Sequence, residues 1–306
     1  PPVAAAIGNF DGVHRGHQKV VAAACEAARR DGLAPAIITF HPHPREFFRQ
    51  EAAPFHLADR AEKDRLLSSL HVDRIIHVSF DDALRRTDAK DFVSSVLPAI
   101  GVKQLYAGVD FAFGRGRGGQ VDTINDYGKP VGIVAYGVPL LQDDNSVVIS
   151  SSRIRAALQA GDPSAAADML GRDWAITGKV IKGEQRGSTI GFPTANITLK
   201  NLQHPAFGVY AVEIDVEDGD AGPRKLAEGV ANIGIRPTFE RRGVLCEAHL
   251  FDGNYDLYGQ RLLVRLKAFL RPEQKFAGID ELLAQISADA EQARLILSNL
   301  TLCQSG

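Results

Sequence analysis

Through the first half of the chain, apolar runs of strand length alternate with stretches of helical spacing. Val3–Ile7 is uninterrupted and apolar, as a buried strand would be. Residues 18–30 are rich in Ala and Val with few breakers, and read as a helix. Strand-like runs recur at residues 36–40, 74–80, 104–109 and 131–138, with helical stretches at 61–70 and 90–100. This alternation predicts βαβ units, a parallel sheet and right-handed crossovers. The pattern changes after Gly171-Arg172-Asp173-Trp174. Strand-like runs then follow one another at 175–182, 208–216, 227–235, 244–251 and 262–269. In the last, Leu262, Val264, Leu266, Ala268 and Leu270 alternate with Leu263, Arg265, Lys267 and Phe269, which predicts one buried face. Successive strands without helices between them suggest an antiparallel sheet or small barrel. A closing helix is expected from near Asp280, a good N-cap residue. Leu283, Ile286, Ala290, Ala293, Leu297 and Leu300 form one apolar stripe on it, expected to pack on the barrel. The chain thus divides into an α/β domain, residues 1–172, and a β domain, residues 173–306, with no internal repeat.

Composition narrows this little. With 306 residues, 45% hydrophobic and 24% charged, the chain suits two globular domains. A formal net charge of −2 argues against a dedicated nucleic-acid binder. Cys25, Cys246 and Cys303 are too widely spaced for a disulfide framework or a zinc motif, so a reducing cytoplasm is expected. No apolar run approaches the ~20 residues of a membrane span, and no secretory signal is visible. The start at Pro1-Pro2, without Met, points to an upstream piece that is missing or cleaved.

Chemistry concentrates first in Gly8-Asn9-Phe10-Asp11-Gly12-Val13-His14-Arg15-Gly16-His17. A glycine-punctuated turn between strand and helix presents free N–H groups and a helix dipole to an anion. His14 and His17, three apart, can face one phosphate if the helix has begun. The pair lacks nearby carboxylates or thiols to complete a metal shell, and the spacing is not that of a dinucleotide-binding turn. A His-x-Gly-His turn after a first strand resembles the nucleotidylyltransferases. Ile149-Ser150-Ser151-Ser152-Arg153-Ile154-Arg155 starts another helix. One serine suffices for a cap, and the others, with the arginines, offer hydroxyls and guanidinium forks to a polyphosphate. It resembles the Ile-Ser-Ser-Thr-x-x-Arg motif of the same enzymes, with Ser152 for Thr and Arg155 as the arginine. Residues 39–44 and 108–114 also follow strands, at the sheet edge where such folds bind ligands. There Asp110 is the better polar contact, and the Phe residues read as core. Arg115-Gly-Arg-Gly-Gly119 could be an RNA-binding segment, but a mobile loop over a phosphate site fits a near-neutral chain better.

In the second half, residues 183–196 join a glycine-rich turn to a Pro193-Thr194-Ala195-Asn196 corner. Backbone near the glycines can approach phosphates, while Thr194 and Asn196 could bind a metal–phosphate unit. In Leu245-Cys-Glu-Ala-His-Leu-Phe251, Cys246, Ala248 and Leu250 share one face, and Glu247 and His249 the other. A carboxylate inside an apolar strand is uncommon unless paired or functional. Glu247 is either a general base or an ion-pair partner of Arg265.

Taken together, these motifs are similar to those of the bifunctional bacterial riboflavin kinase/FMN adenylyltransferases, or FAD synthetases. Pro-Thr-Ala-Asn beside Asn232-Ile-Gly-Ile-Arg-Pro-Thr-Phe239, and Leu270-Arg-Pro-Glu273, extend the match over nearly the whole chain. The resemblance implies a Rossmann-like α/β nucleotidylyltransferase domain, then an antiparallel six-stranded β-barrel kinase domain. It implies ATP-dependent phosphorylation of riboflavin to FMN, then adenylylation of FMN to FAD with release of pyrophosphate. Carried onto this chain, His14, His17 and Glu247 are catalytic. Gly8, Asn9, Phe10, His14, His17, Ser151, Ser152 and Arg155 bind the adenylyl-donating ATP, and Asp110 and Phe113 the flavin. In the kinase half, Gly187, Ser188, Thr194 and Asn196 bind ATP, Thr194 and Asn196 hold Mg²⁺, and Arg271 and Glu273 meet the flavin. Ser188 departs from the family, many of whose members carry a basic residue there. The implied partners are small molecules, ATP, riboflavin and FMN, with no nucleic acid and no membrane; homo-oligomerisation is left open. A different nucleotidylyltransferase fused to a barrel is opposed by the kinase motifs. A flavin-binding regulator with decayed catalysis is opposed by intact His14, His17, Thr194, Asn196 and Glu247.

Overall fold

The computed structural model describes residues 1–49, 53–181, 194–219, 222–236, 243–253 and 255–304. It divides into two compact units, one of residues 1–53 and 60–150, the other of residues 54–59 and 151–306.

The first unit is a five-stranded parallel sheet. Its strands are β1 (Val3–Ile7), β2 (Ala34–His41), β3 (Arg74–Ser79), β4 (Val102–Gly108) and β5 (Val134–Val138), in the order β3-β2-β1-β4-β5. All pairings are parallel, as the alternation predicts. β1 is central and wholly buried, which explains its unbroken apolar sequence. The helix Arg15–Asp31 covers the sheet with Val20, Val21, Ala24, Cys25, Ala27 and Ala28, and stops at Gly32 in a left-handed conformation. The helix expected over residues 90–100 forms with a π segment, Phe92–Val96, ahead of Pro98, which has no N–H to donate. Strand order reverses between β1 and β4, so the crevice at their carboxyl ends is the ligand position of an open α/β sheet.

The second unit is a six-stranded, nearly closed antiparallel barrel. Its strands are β6 (Ala175–Lys179), β7 (Thr194–Thr198), β8 (Gly208–Glu217), β9 (Pro223–Arg236), β10 (Gly243–Leu250) and β11 (Arg261–Pro272), in the order β6-β11-β8-β9-β10-β7. A bridge between Ile181 and Asn196 nearly joins the ends of the ring. β7 escapes the hydrophobic pattern because only Ala195 and Ile197 turn inward, among polar neighbours. The alternation in β11 holds only through Leu266. Bulges between Leu266 and Ala268, and between Phe269 and Arg271, reverse the faces. Ala268 and Leu270 therefore pack outside the barrel, with Val209, Ala211, Val230 and Phe251, under Ala290, Ala293 and Leu297 of the closing helix Ile279–Gln304. Helices Ser151–Gln159 and Pro163–Leu170 also belong to this unit, with Ala206 N–H bonded to Leu158 O at 2.9 Å. Buried Trp174 donates its indole N–H to Leu57 O at 2.7 Å, tying the 54–59 segment to the barrel.

Candidate active site

The His-x-Gly-His turn leaves β1 at the crevice just defined. Its backbone is contorted, with φ +51° at Phe10, +80° at Gly12 and +44° at Val13. Positive φ at a β-branched valine is rare and costly, and such conformations gather at functional sites. Phe10 and Asp11 are buried. Val13 N–H closes the turn onto Phe10 O at 3.1 Å, and Gln18 Nε2 donates to Val13 O at 2.9 Å. His14 caps the helix Arg15–Asp31, its Nδ1 accepting from His17 N–H at 3.3 Å. With Nδ1 accepting, the proton of the neutral ring lies on Nε2, which makes that atom a donor. The His14 and His17 rings stack at 3.6 Å between centroids, and Phe10 meets His17 edge-on at 5.3 Å. A Cβ at Gly16 would stand 3.1 Å from the His14 ring, which accounts for the glycine between the histidines. The helix has begun by His17, so His14 caps its N-terminal turn and His17 lies within it.

The neighbouring turn after β4 divides the two flavin candidates. Asp110 is exposed, its carboxylate folded against Gly108. Phe113 belongs to the core and packs on Phe92 at 5.2 Å and Phe111 at 5.7 Å. The Arg115–Arg117 turn is backbone-bonded, Arg115 N–H to Thr87 O at 2.8 Å, with a bridge between Phe113 and Gly119. Ser151 and Ser152 occupy the first turn of helix Ser151–Gln159. Arg155, on the same helix, donates from Nε to Phe55 O at 2.8 Å and lies 5.6 Å over the Phe55 ring. This helix belongs to the second unit and the histidine turn to the first.

In the barrel, strand register assembles the other constellation. Glu247 of β10 stands opposite Asn196 of β7 on one side and Asn232 of β9 on the other. Directly opposed residues share a face. The row continues through Val209 of β8 to Arg271 of β11, while His249 and Thr194 pair one step along. Asn196 is buried, and its Nδ2 donates to Thr194 O at 3.4 Å, which leaves Oδ1 as an acceptor. Asn232 Oδ1 is buried without a hydrogen-bond partner among the described residues. Asn232 was not singled out from sequence as a site residue, although its Asn-Ile-Gly-Ile-Arg-Pro-Thr context carried the signal. The Arg265 guanidinium, the alternative partner for Glu247, lies on Asp215, with Nε to Oδ2 at 2.8 Å. Arg271 is held by buried Asp289 of the closing helix, Nε to Oδ1 at 2.9 Å and Nη2 to Oδ2 at 2.7 Å. The Glu273 carboxylate packs where a Cβ at Gly234 would stand, two residues along β9 from Asn232. Beside Glu247, burial and then the Glu247 charge push the Cys246 thiol up to about 12, so Cys246 is inert packing. Gly187 and Ser188 lie outside the described residues.

A histidine-capped turn at the switch point of a parallel sheet, in one chain with a barrel that sets a carboxylate between two asparagines, defines a two-domain nucleotide-dependent transferase. The comparisons agree. The FAD synthetase family model matches residues 1–153 and the riboflavin kinase model residues 170–297. The chain is 40% identical over 294 residues to the bifunctional riboflavin kinase/FMN adenylyltransferase of Pseudomonas fluorescens, covering 95% of this chain and 92% of that one. It is 38% identical over 301 residues to the Bacillus subtilis enzyme of the same name, covering 96% and 92%. A solved Streptococcus pneumoniae structure, described as a macrolide-efflux protein, superposes with a TM-score of 0.83 at 31% identity, covering 96% and 94%. No helix among the described residues is long and apolar enough to cross a membrane. The chain belongs to the bifunctional riboflavin kinase/FMN adenylyltransferase family, and is an enzyme of flavin cofactor biosynthesis.

Proposed function

We propose that the barrel transfers the γ-phosphoryl group of ATP to the riboflavin 5′-hydroxyl, and that the α/β domain joins FMN to AMP from a second ATP. The observation that carries this is the register that sets Glu247 between Asn196 and Asn232. In the first reaction the hydroxyl oxygen bonds to the γ-phosphorus as the bond to ADP breaks, and Glu247 takes the hydroxyl proton. Thr194 hydroxyl and Asn196 Oδ1 are hard oxygen donors, and this pair fits Mg²⁺ with phosphates and water completing its shell. When bound there, the ion would offset charge on the transferring phosphate. Gly187 and Ser188 complete the ATP contacts, and Arg271 and Glu273 border the flavin.

In the second reaction an FMN phosphate oxygen bonds to the α-phosphorus of ATP as pyrophosphate leaves. His14, His17 and the backbone of Gly8, Asn9 and Phe10 hold the phosphates while charge builds on pyrophosphate. Ser151, Ser152 and Arg155 add hydroxyl and guanidinium donors. Asp110 orients the flavin, and Phe113 supports that turn from the core. The functional division is placed at residue 172, with 1–172 for adenylylation and 173–306 for phosphorylation. Two buried free thiols, Cys25 and Cys246, suit a reducing cytoplasm. Differentially labelled ATP tests the scheme. Starting from riboflavin, label from the γ-phosphate should enter FMN and pass with it into FAD, while label from the α-phosphate should enter FAD alone; α-label in FMN, or FAD lacking either label, overturns it.

A further inference from the structure

An ammonium that no motif predicts lies against the histidine turn. Lys63, on helix Arg60–Ser68, donates from Nζ to Thr39 Oγ1 at 3.3 Å and to Asn9 O at 3.5 Å. Thr39 is fully buried near the carboxyl end of β2, and Asn9 follows β1. The ammonium therefore sits across the carboxyl ends of two adjacent strands, on the backbone of the turn that carries His14 and His17. Both of its acceptors are neutral and both bonds are long for N–H···O. The carboxylate next in sequence, Asp64, lies 3.1 Å from His77 Nε2 and 3.8 Å from Arg60 Nε. No carboxylate among the described residues comes within ion-pair distance of Lys63. Burial, with Arg60, pushes its pKa down against the opposing pull of Asp64 and Asp11. His41, in the same corner, is pushed down by burial and then by Arg60 and Lys63. A partly buried cation with no carboxylate in ion-pair contact is unfavourable, and an anionic ligand relieves that cost.

We propose that Lys63 is a phosphate-binding residue of the adenylyl-transfer site, its ammonium holding a phosphate oxygen of ATP or of FMN. The proposal rests on the adenylyltransferase reading of this domain. Lys63→Met keeps length and removes charge, Lys63→Gln keeps a donor without charge, and Lys63→Arg keeps charge. Each full-length variant is assayed for FAD formation from FMN and ATP, varying each substrate, and for riboflavin phosphorylation in the same preparation. The Met and Gln variants should lose about 10- to 100-fold in adenylyl-transfer kcat/KM, the worth of a charged hydrogen bond. Arg should recover part of the loss, and phosphorylation should stay at the wild-type rate. A loss confined to the KM for ATP, with loss of thermal stabilisation by inorganic pyrophosphate, assigns the oxygen to ATP. A loss confined to the KM for FMN assigns it to FMN. Wild-type adenylyl transfer in Met, or full recovery in Gln, overturns the proposal, because a hydrogen-bonding brace would then suffice. A wild-type protein that makes no FAD would instead overturn the reading of the domain.

Discussion

Asp289 offers the clearest energetic test of how the closing helix is fixed to the barrel. Its carboxylate is 5% exposed and takes both Arg271 Nε and Nη2, while Gln285 Nε2 donates to it at 2.9 Å. In Asp289→Ala the Arg271 guanidinium, 18% exposed, loses its counter-charge and, among the described residues, keeps Pro272 O at 3.0 Å and the Phe276 ring at 5.8 Å. Removing one partner of a buried pair costs about 3–5 kcal/mol, and the residual exposure of Arg271 places this case near about 3 kcal/mol. For a unit of this size that corresponds to a melting temperature about 6–12 °C lower. Trp174, the single tryptophan of the chain, is buried in the same unit, so its fluorescence on heating the full chain reports this unit. The double variant Arg271→Leu with Asp289→Leu removes both charges and should regain most of the loss. If Asp289→Ala melts within about 2 °C of wild type, the pair is solvated and the reasoning fails.

Three further outcomes follow from the site. Glu247→Gln should slow riboflavin phosphorylation by about 10²–10⁴-fold, while FAD formation from added FMN continues; an ion-pair role would instead lower the melting temperature and leave turnover intact. His17→Ala should let FMN accumulate without FAD, and unchanged FAD production would remove the histidine turn from the chemistry. Cys246, raised to about 12 and buried, should resist thiol reagents at pH 8 until the barrel unfolds, and labelling of the folded chain would show that the strand opens.

What the sequence made legible is uneven for physical reasons. β1 could be read directly because a strand buried on both faces needs an unbroken apolar run. The histidine turn could be read because its glycines answer local demands, such as the space His14 takes beside Gly16. β7 was hidden because it is short, and its polar residues face the candidate kinase site. The face reversal in β11 depends on bulges, which the period-two pattern cannot show. The row Asn196–Glu247–Asn232 requires register between three strands distant in sequence, so Asn232 was visible as a motif residue but not as a neighbour of Glu247. Lys63 belongs to no motif, and only folding brings it to Thr39 and Asn9.

Two chemistries in one chain is the central claim, and a time course of products tests it most directly. The purified protein is incubated with riboflavin, excess ATP and Mg²⁺, and flavins and pyrophosphate are quantified together. FMN should appear first with ADP, and FAD should follow, with one pyrophosphate released for each FAD. Riboflavin left unchanged, FMN that never becomes FAD, or FAD formed without matching pyrophosphate would contradict it.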